Sequence, residues 1–517
     1  PAAHPDRPSL PPRRSSDRAT VGAPLSATQD SFTVTITDAH GGQTTQTITV
    51  AINPTNTAPV AGTPLVGTAN PTTGTVIGSA VATDPNTDTL TYTGPTTSTG
   101  GGTVTVSPTG AFTYTPTTTS RQAAVGSPLN DSFTVTITDA HGGQTTQTIT
   151  VPVDPITAVV VTGLQEPTDL RFLPDGRMLI SERGGVVLLA SRDGQIQSQP
   201  VIGLPMDTIN GRGLLGIEVD PNFTSNGYIY AIYVTSSNYE RLSRFTVTDP
   251  QASILAANPA SELVLIEGSQ EAADDHLGGG IRFGPDGKLY WTMGNNDGWA
   301  IRPPGFVYPS NNAQDLSNIY GKVLRLNPDG SVPTDNPFAN TPGVNPYIYA
   351  YGFRNPFRIA FTTTGALLVT DVGELTWEEL DNVTAGANYG WPLAEGPCDG
   401  VGTPSCSIPS SYNNPIYTYD RNLPGVGTSF SAAITGVLAY TSPGGQGQNL
   451  VFISDWSRGW TEELTCNSDY TSCGNSRTVD TTSLFDGPVA LVQGPDGLIY
   501  EVHVVTGTIS RLAPTSL

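Results

Sequence analysis

Positive charge is scarce in this 517-residue chain. Lysine and arginine total 23 against 45 aspartates and glutamates, and the only lysines are Lys288 and Lys322. The net charge of −22 lacks the basic footprint that holds nucleic-acid phosphates, so no nucleic-acid partner is expected. Long apolar runs are missing too. None reaches the roughly 18 residues of a membrane helix, so no membrane span is expected. Helical periodicity is nearly absent, which argues against bundles and doubly wound folds. The start at Pro1 shows no apolar leader segment. Cysteine is limited to Cys398, Cys406, Cys466 and Cys473. They have no C-x-x-C spacing and no neighbouring histidine, which argues against zinc. Two short-loop disulfides, Cys398–Cys406 and Cys466–Cys473, are expected, with four unpaired thiols as the alternative. Disulfides imply an oxidising compartment, hence a secreted or cell-surface protein.

What is abundant is turn chemistry, with 57 Gly and 44 Pro, set between stretches that alternate apolar and polar residues. The pattern predicts an all-β protein of two or three domains. Residues 1–17 carry no apolar period and read as a disordered tail. The segment DSFTVTITDAHGGQTTQTITV then occurs at Asp30–Val50 and again, letter for letter, at Asp131–Val151. Each copy reads as a β-hairpin turning at AHGG. Upstream of the second copy lie about five further strand patterns, so residues 56–155 are expected to form a complete Ig-like sandwich. The first copy lacks those strands, and residues 18–55 are read as a partial repeat. This region resembles the tandem VCBS or cadherin-like repeats of bacterial surface and secreted proteins, which implies a cell-surface partner for the repeats. Members of that family often hold calcium at Asp-rich turns. Here the turn TDPNTDTLTY offers Asp84 and Asp88, with a plain turn as the other reading. His40 and His141 occupy equivalent hairpin turns and read as solvated.

From residue 156 to 517 a strand–turn–strand cue recurs six times. It begins near Phe172, Val219, Arg282, Phe361, Tyr440 and Val492. Six units of about 60 residues predict a six-bladed β-propeller. The segment SNIYGKVLRLNPDG adds a further strand and turn, which leaves the blade boundaries open.

Histidine is the usual acid–base residue near neutral pH. The propeller region holds two, His276 and His503. His503 lies in a strand pattern and reads as structural. His276 follows Asp274 and Asp275 and precedes three glycines. It is therefore expected on a loop at a blade end, where propeller sites gather. YGFRNPFRIAF places Arg354 and Asn355 before another strand. The planar fork of an arginine suits carboxylate, quinone or sugar oxygens, and a structural brace is the alternative.

The ordered set GRGLLGIEVDPNF, HLGGGIRFGPDGKLYWTMG, GKVLRLNPDGSVPTDNPF, YGFRNPF and NYGWP resembles the soluble quinoprotein glucose/sorbosone dehydrogenases, which use pyrroloquinoline quinone (PQQ). The resemblance implies oxidation of aldoses or related sugars by hydride transfer to the quinone. It implies His276 as general base with Asp275 beside it, and Arg354 and Asn355 against PQQ. It places a Ca2+ site at Gly373 and Glu374, where the family carries Gly-Pro. The family's Gly-Asp after the histidine strand becomes Gly294-Asn295, with Asp297 a candidate substitute. A Lys-Arg-Gly segment becomes Ser457-Arg458-Gly459. An Arg-x-Arg pair of the last blade has no counterpart in FDGPVALVQGPDG. Arg212 and Arg458 are then the further cations expected on the cofactor, a tricarboxylate. The same propeller occurs in noncatalytic proteins such as the hedgehog-interacting protein. The alternative function is therefore an extracellular carbohydrate- or protein-binding propeller without the cofactor.

Overall fold

The computed structural model describes residues 29–51, 55–70, 73–124, 129–153, 159–298, 310–399, 411–421, 432–441 and 449–512. The chain divides into two compact units, Pro1–Ile156 and Thr157–Leu517. The expected tail lies outside the described residues.

In the first unit both copies of the repeated segment are antiparallel hairpins. The first pairs Gln29–Thr37 with Gln43–Ala51, and the second pairs Leu129–Thr138 with Gln144–Val153. Alternation puts every second residue on one face. In the second copy that face is core: Phe133 is 3% exposed, and Val135, Ile137, Ile149 and Val151 are fully buried with Val76, Val104, Phe112 and Tyr114. A four-stranded sheet running Leu65–Val66, Val76–Ser79, Ala111–Thr115 and Thr103–Val106 covers it. In the first copy the equivalent Phe32, Ile36, Ile48 and Val50 are exposed. At the Asp84 turn, the carboxylate accepts the backbone N–H groups of Asn86 and Asp88, as in an ordinary Asx turn. One carboxylate oxygen each of Asp84, Asp88 and Asp139 also lie within 4.8 Å of one another.

Among the described residues the second unit contains six four-stranded antiparallel sheets, or blades. Their innermost strands are Pro167–Phe172, Leu214–Val219, Ile281–Phe283, Pro356–Phe361, Ile434–Ala439 and Pro488–Gln493. Each touches the next, and the sixth touches the first, so the strands ring a central channel. Closure is completed by Val159–Val161, which pairs with the C-terminal strand Thr508–Leu512. Every sequence cue marks the turn between the first and second strand of one blade. The extra cue at SNIYGKVLRL is the third strand of the third blade, Lys322–Leu326.

Apolar side chains fill the gaps between neighbouring blades. Leu179, Val187, Leu214 and Phe245 pack blades one and two, for example. Leu170, Ile180, Ala490 and Val502 fill the gap between blades six and one. Each blade thus buries both faces, which is why strands such as Leu289–Met293 are buried throughout and do not alternate. The Asp-Gly turns are pinned from the next strand: Tyr290 and Tyr500 donate to the turn carboxylates of Asp286 and Asp496, each at 2.9 Å.

Cys466 and Cys473 form a disulfide across the last hairpin of the fifth blade. The other expected pair involves Cys406, which lies outside the described residues. Such a short loop contributes about 2–3 kcal/mol by restricting the unfolded chain. Cys466→Ser/Cys473→Ser is expected to lose that amount in urea unfolding, with the propeller otherwise intact.

Candidate active site

The channel opens, at the end where the inner strands begin, into a cavity of about 470 Å³. Thr168, Leu215, Asn355, Thr435 and Val489 bring five blades to its wall. The His276 loop enters from between the second and third blades. This loop passes very close to the residue just after the strand Leu289–Met293: a Cβ on Gly294 would lie 1.9 Å from the His276 carbonyl oxygen. His276 itself has φ 54°, a left-handed conformation that costs a non-glycine residue about 1–3 kcal/mol and is held by its surroundings.

His276 is 2% exposed and lines the cavity. Its Nδ1 lies 2.9 Å from Asn295 Oδ1. Asn295 Nδ2 donates to Asp297 Oδ2 at 2.9 Å. A carboxylate only accepts, so this contact fixes which end of the amide faces the histidine. Nδ1 must then carry the proton, and Nε2 is the basic nitrogen. Asp297 is linked to the imidazole through Asn295. Burial, and then the Arg354 cation, hold the imidazole well below its usual value, at about 3. The ring is neutral across the physiological range.

Arg354, Asn355 and Asp275 line the same cavity. The Asp371 carboxylate accepts the backbone N–H groups of Arg354 (2.9 Å) and Asn355 (2.6 Å). Asn355 Oδ1 accepts from Gly278 N at 3.0 Å, tying this corner to the histidine loop. Arg354 donates to the Val372 carbonyl at 2.9 Å and pairs with Glu374. The Trp391 ring of NYGWP stands 5.6 Å from its guanidinium. Asp275 accepts from the His276 N–H, and burial pushes its carboxyl up.

Val372 and Glu374 line the cavity on either side of Gly373. A Cβ on Gly373 would lie 1.7 Å from the Trp377 carbonyl oxygen, so this tight turn needs glycine. Glu395 Oε1 gathers the N–H groups of Glu374, Leu375 and Thr376 at 2.6, 2.8 and 3.2 Å. No local sequence signal marks Glu395 or Asp371 as positioning groups.

Two expected cations are turned elsewhere. Arg212 pairs with Asp207 at 2.7 Å and donates to the Ala272 and Ala273 carbonyls, so it braces the segment before His276. Arg458 donates to the Asp420 carbonyl and stacks 5.1 Å from the Tyr419 ring. Neither lines the cavity. Three arginines not singled out from sequence do: Arg183, Arg358 and Arg421. Arg421 pairs with buried Glu378, and Arg183 with Glu166.

Four arginines line the cavity; Arg183, Arg354 and Arg421 are ion-paired with Glu166, Glu374 and Glu378, and Arg358 is held by backbone carbonyls, and guanidinium forks of this kind suit the carboxylates of an anionic ligand. The volume matches the usual range of small-ligand pockets, roughly 300–1,000 Å³. The Glu374 carboxylate, on a turn whose amides are already satisfied by Glu395, is a hard oxygen donor of the kind calcium takes. The arginines present offer donors to an anionic cofactor such as PQQ, and Glu374, paired here with Arg354, offers calcium one carboxylate.

Comparison with known proteins agrees in fold and family. The family model for glucose/sorbosone dehydrogenase matches residues 164–444, and the model for a bacterial cadherin-like domain matches residues 56–155. Quinoprotein glucose dehydrogenase B of Acinetobacter calcoaceticus is 28% identical over 61% of this chain and 67% of its own length. The aldose sugar dehydrogenase YliI of Escherichia coli is 33% identical over 45% of this chain and 60% of its own. The PQQ-bound aldose sugar dehydrogenase of Streptomyces coelicolor shares the fold, with a TM-score of 0.55 and 23% identity over 68% of this chain and 95% of that one. With more than half of its length matched by the family model, this chain belongs to the glucose/sorbosone dehydrogenase family.

Proposed function

We propose that the propeller oxidises aldoses or related sugars with PQQ as the electron acceptor and Ca2+ beside it. The observation that carries this reading is the neutral His276, oriented through Asn295 and facing the same cavity as Arg354. PQQ, when bound, supplies a two-electron acceptor for the hydride of the sugar carbon. His276 Nε2 takes the hydroxyl proton of that carbon. Burial keeps the ring unprotonated and ready to do so. Asn295 and Asp297 hold the required tautomer. Arg354 and Asn355 would hold the cofactor and stabilise negative charge that develops there. Arg183 and Arg421, paired here with Glu166 and Glu378, and Arg358, held by the Thr168 and Leu215 carbonyls, would stand beside its carboxylates. Gly373 and Glu374 offer oxygens to the calcium. The closed ring and apolar walls such as Leu215 and Trp456 limit water around the reacting atoms.

The cadherin-like unit and the disulfide support a secreted or cell-surface location, with the repeats meeting a surface partner. The test is dye reduction by protein reconstituted with PQQ and Ca2+ and offered a panel of aldoses. Turnover with at least one aldose is expected. No turnover with any aldose contradicts the assignment and favours a ligand-binding propeller without the cofactor.

A further inference from the structure

We propose that the junction of the fifth and sixth blades is a binding site for a first-row divalent cation of the zinc type, held by Asp480, Glu501 and His503. One potential ligand atom from each of the three lies within 4.8 Å of the other two. Glu501 and His503 are two residues apart on the strand Ile499–His503, so both side chains leave the same face. Asp480 reaches them from Cys473–Thr481, the last strand of the fifth blade. Glu501 is 1% exposed and His503 4%, while Asp480 is half-buried and leaves an entry path.

Hydrogen-bond counting calls for a positive centre beside Glu501, either the His503 imidazolium or a cation in its place. Ser510 Oγ lies 2.8 Å from His503 Nε2 and 3.2 Å from Glu501 Oε2. With the ring neutral and protonated on Nδ1, the single Ser510 proton serves only one of them; an imidazolium would instead donate through Nε2 to Ser510, which then donates to Glu501. His503 Nδ1 faces the Asp486 carbonyl at 3.3 Å. That is the usual outer contact of a metal-bound histidine, with Nδ1 protonated and the Nε2 lone pair turned to the metal. Glu501 Oε1 has no hydrogen-bond partner despite its burial. An imidazole with two carboxylates suits zinc and its first-row neighbours better than calcium.

The site is separate from the cavity residues assigned above, so its test does not depend on the sugar or the quinone. Full-length protein is stripped with EDTA and titrated with ZnCl2 by calorimetry. One zinc per chain is expected, with a raised thermal midpoint. Glu501→Gln and His503→Gln should each weaken that binding at least about tenfold, while Asp84→Asn leaves it unchanged. Circular dichroism checks that the variants fold. Should either fail to, Co2+ added to wild-type protein supplies the readout: a visible band stronger than that of aqueous Co2+, removed by excess Zn2+, is expected. No zinc binding by wild type, equal affinity in folded variants, or no such Co2+ band overturns the site.

Discussion

His276→Ala is expected to lower sugar turnover by roughly 100- to 10,000-fold, the usual contribution of a positioned general base, while leaving the fold and PQQ binding nearly unchanged. His276 stands on a loop and packs no blade gap, so its removal costs little core. Steady-state kinetics with matched circular dichroism and PQQ titration make the check. A variant that keeps more than a tenth of wild-type turnover would remove the base role. The pH profile is a second reading of the same group. Because burial and Arg354 hold the imidazole at about 3, its deprotonated form dominates throughout pH 5–8. No acidic inflection near the ordinary histidine value of about 6.5 is expected in kcat/KM. The linkage to stability has a definite sign. A folded-state value below the unfolded one means the unfolded chain binds the proton more readily. This group's contribution is therefore present above about pH 6.5 and is lost as pH falls toward 3.

Arg358→Met should produce the largest loss of stability, about 3–5 kcal/mol in urea unfolding. Arg358 is 2% exposed on the inner strand of the fourth blade. It donates across the channel to the Thr168 carbonyl of the first blade at 2.7 Å and the Leu215 carbonyl of the second at 3.2 Å, and also to the Phe357 carbonyl at 3.0 Å. Methionine fills similar space but leaves these carbonyls without their donor, and leaves the buried Asp169 with one cation fewer nearby. A loss below about 1 kcal/mol, the scale of a single ordinary hydrogen bond, would mean that the channel tie contributes little.

Much of the propeller was legible because each blade repeats one local event, a turn between a short strand and a more apolar one. GPDGK at the third blade and GPDGL at the sixth carry it in nearly the same letters. The convergence of His276, Arg354 and Asn355 on one cavity was legible for a similar reason, since each sits at a loop–strand junction and the ring gathers such junctions. Arg183, Arg358, Arg421, Asp371 and Glu395 were not. Their roles depend on partners distant in the chain, such as Thr168 for Arg358, and no local spacing reports them. Arg212 and Arg458 show the converse. Both occupy the right segments, but Asp207 and the Tyr419 ring draw their side chains away from the cavity. Asp297 was offered from sequence as a candidate substitute for the carboxylate missing at Asn295; that the Asn295 amide links it to His276 is geometry that only the structure displays.

The most direct measurement is a titration of PQQ into calcium-loaded full-length protein, followed by visible absorbance. Saturation at one PQQ per chain is expected, weakened at least about tenfold in Arg354→Ala through loss of a charge-assisted hydrogen bond. A spectrum that remains the simple sum of free PQQ and protein at every ratio would contradict the assignment of the cavity.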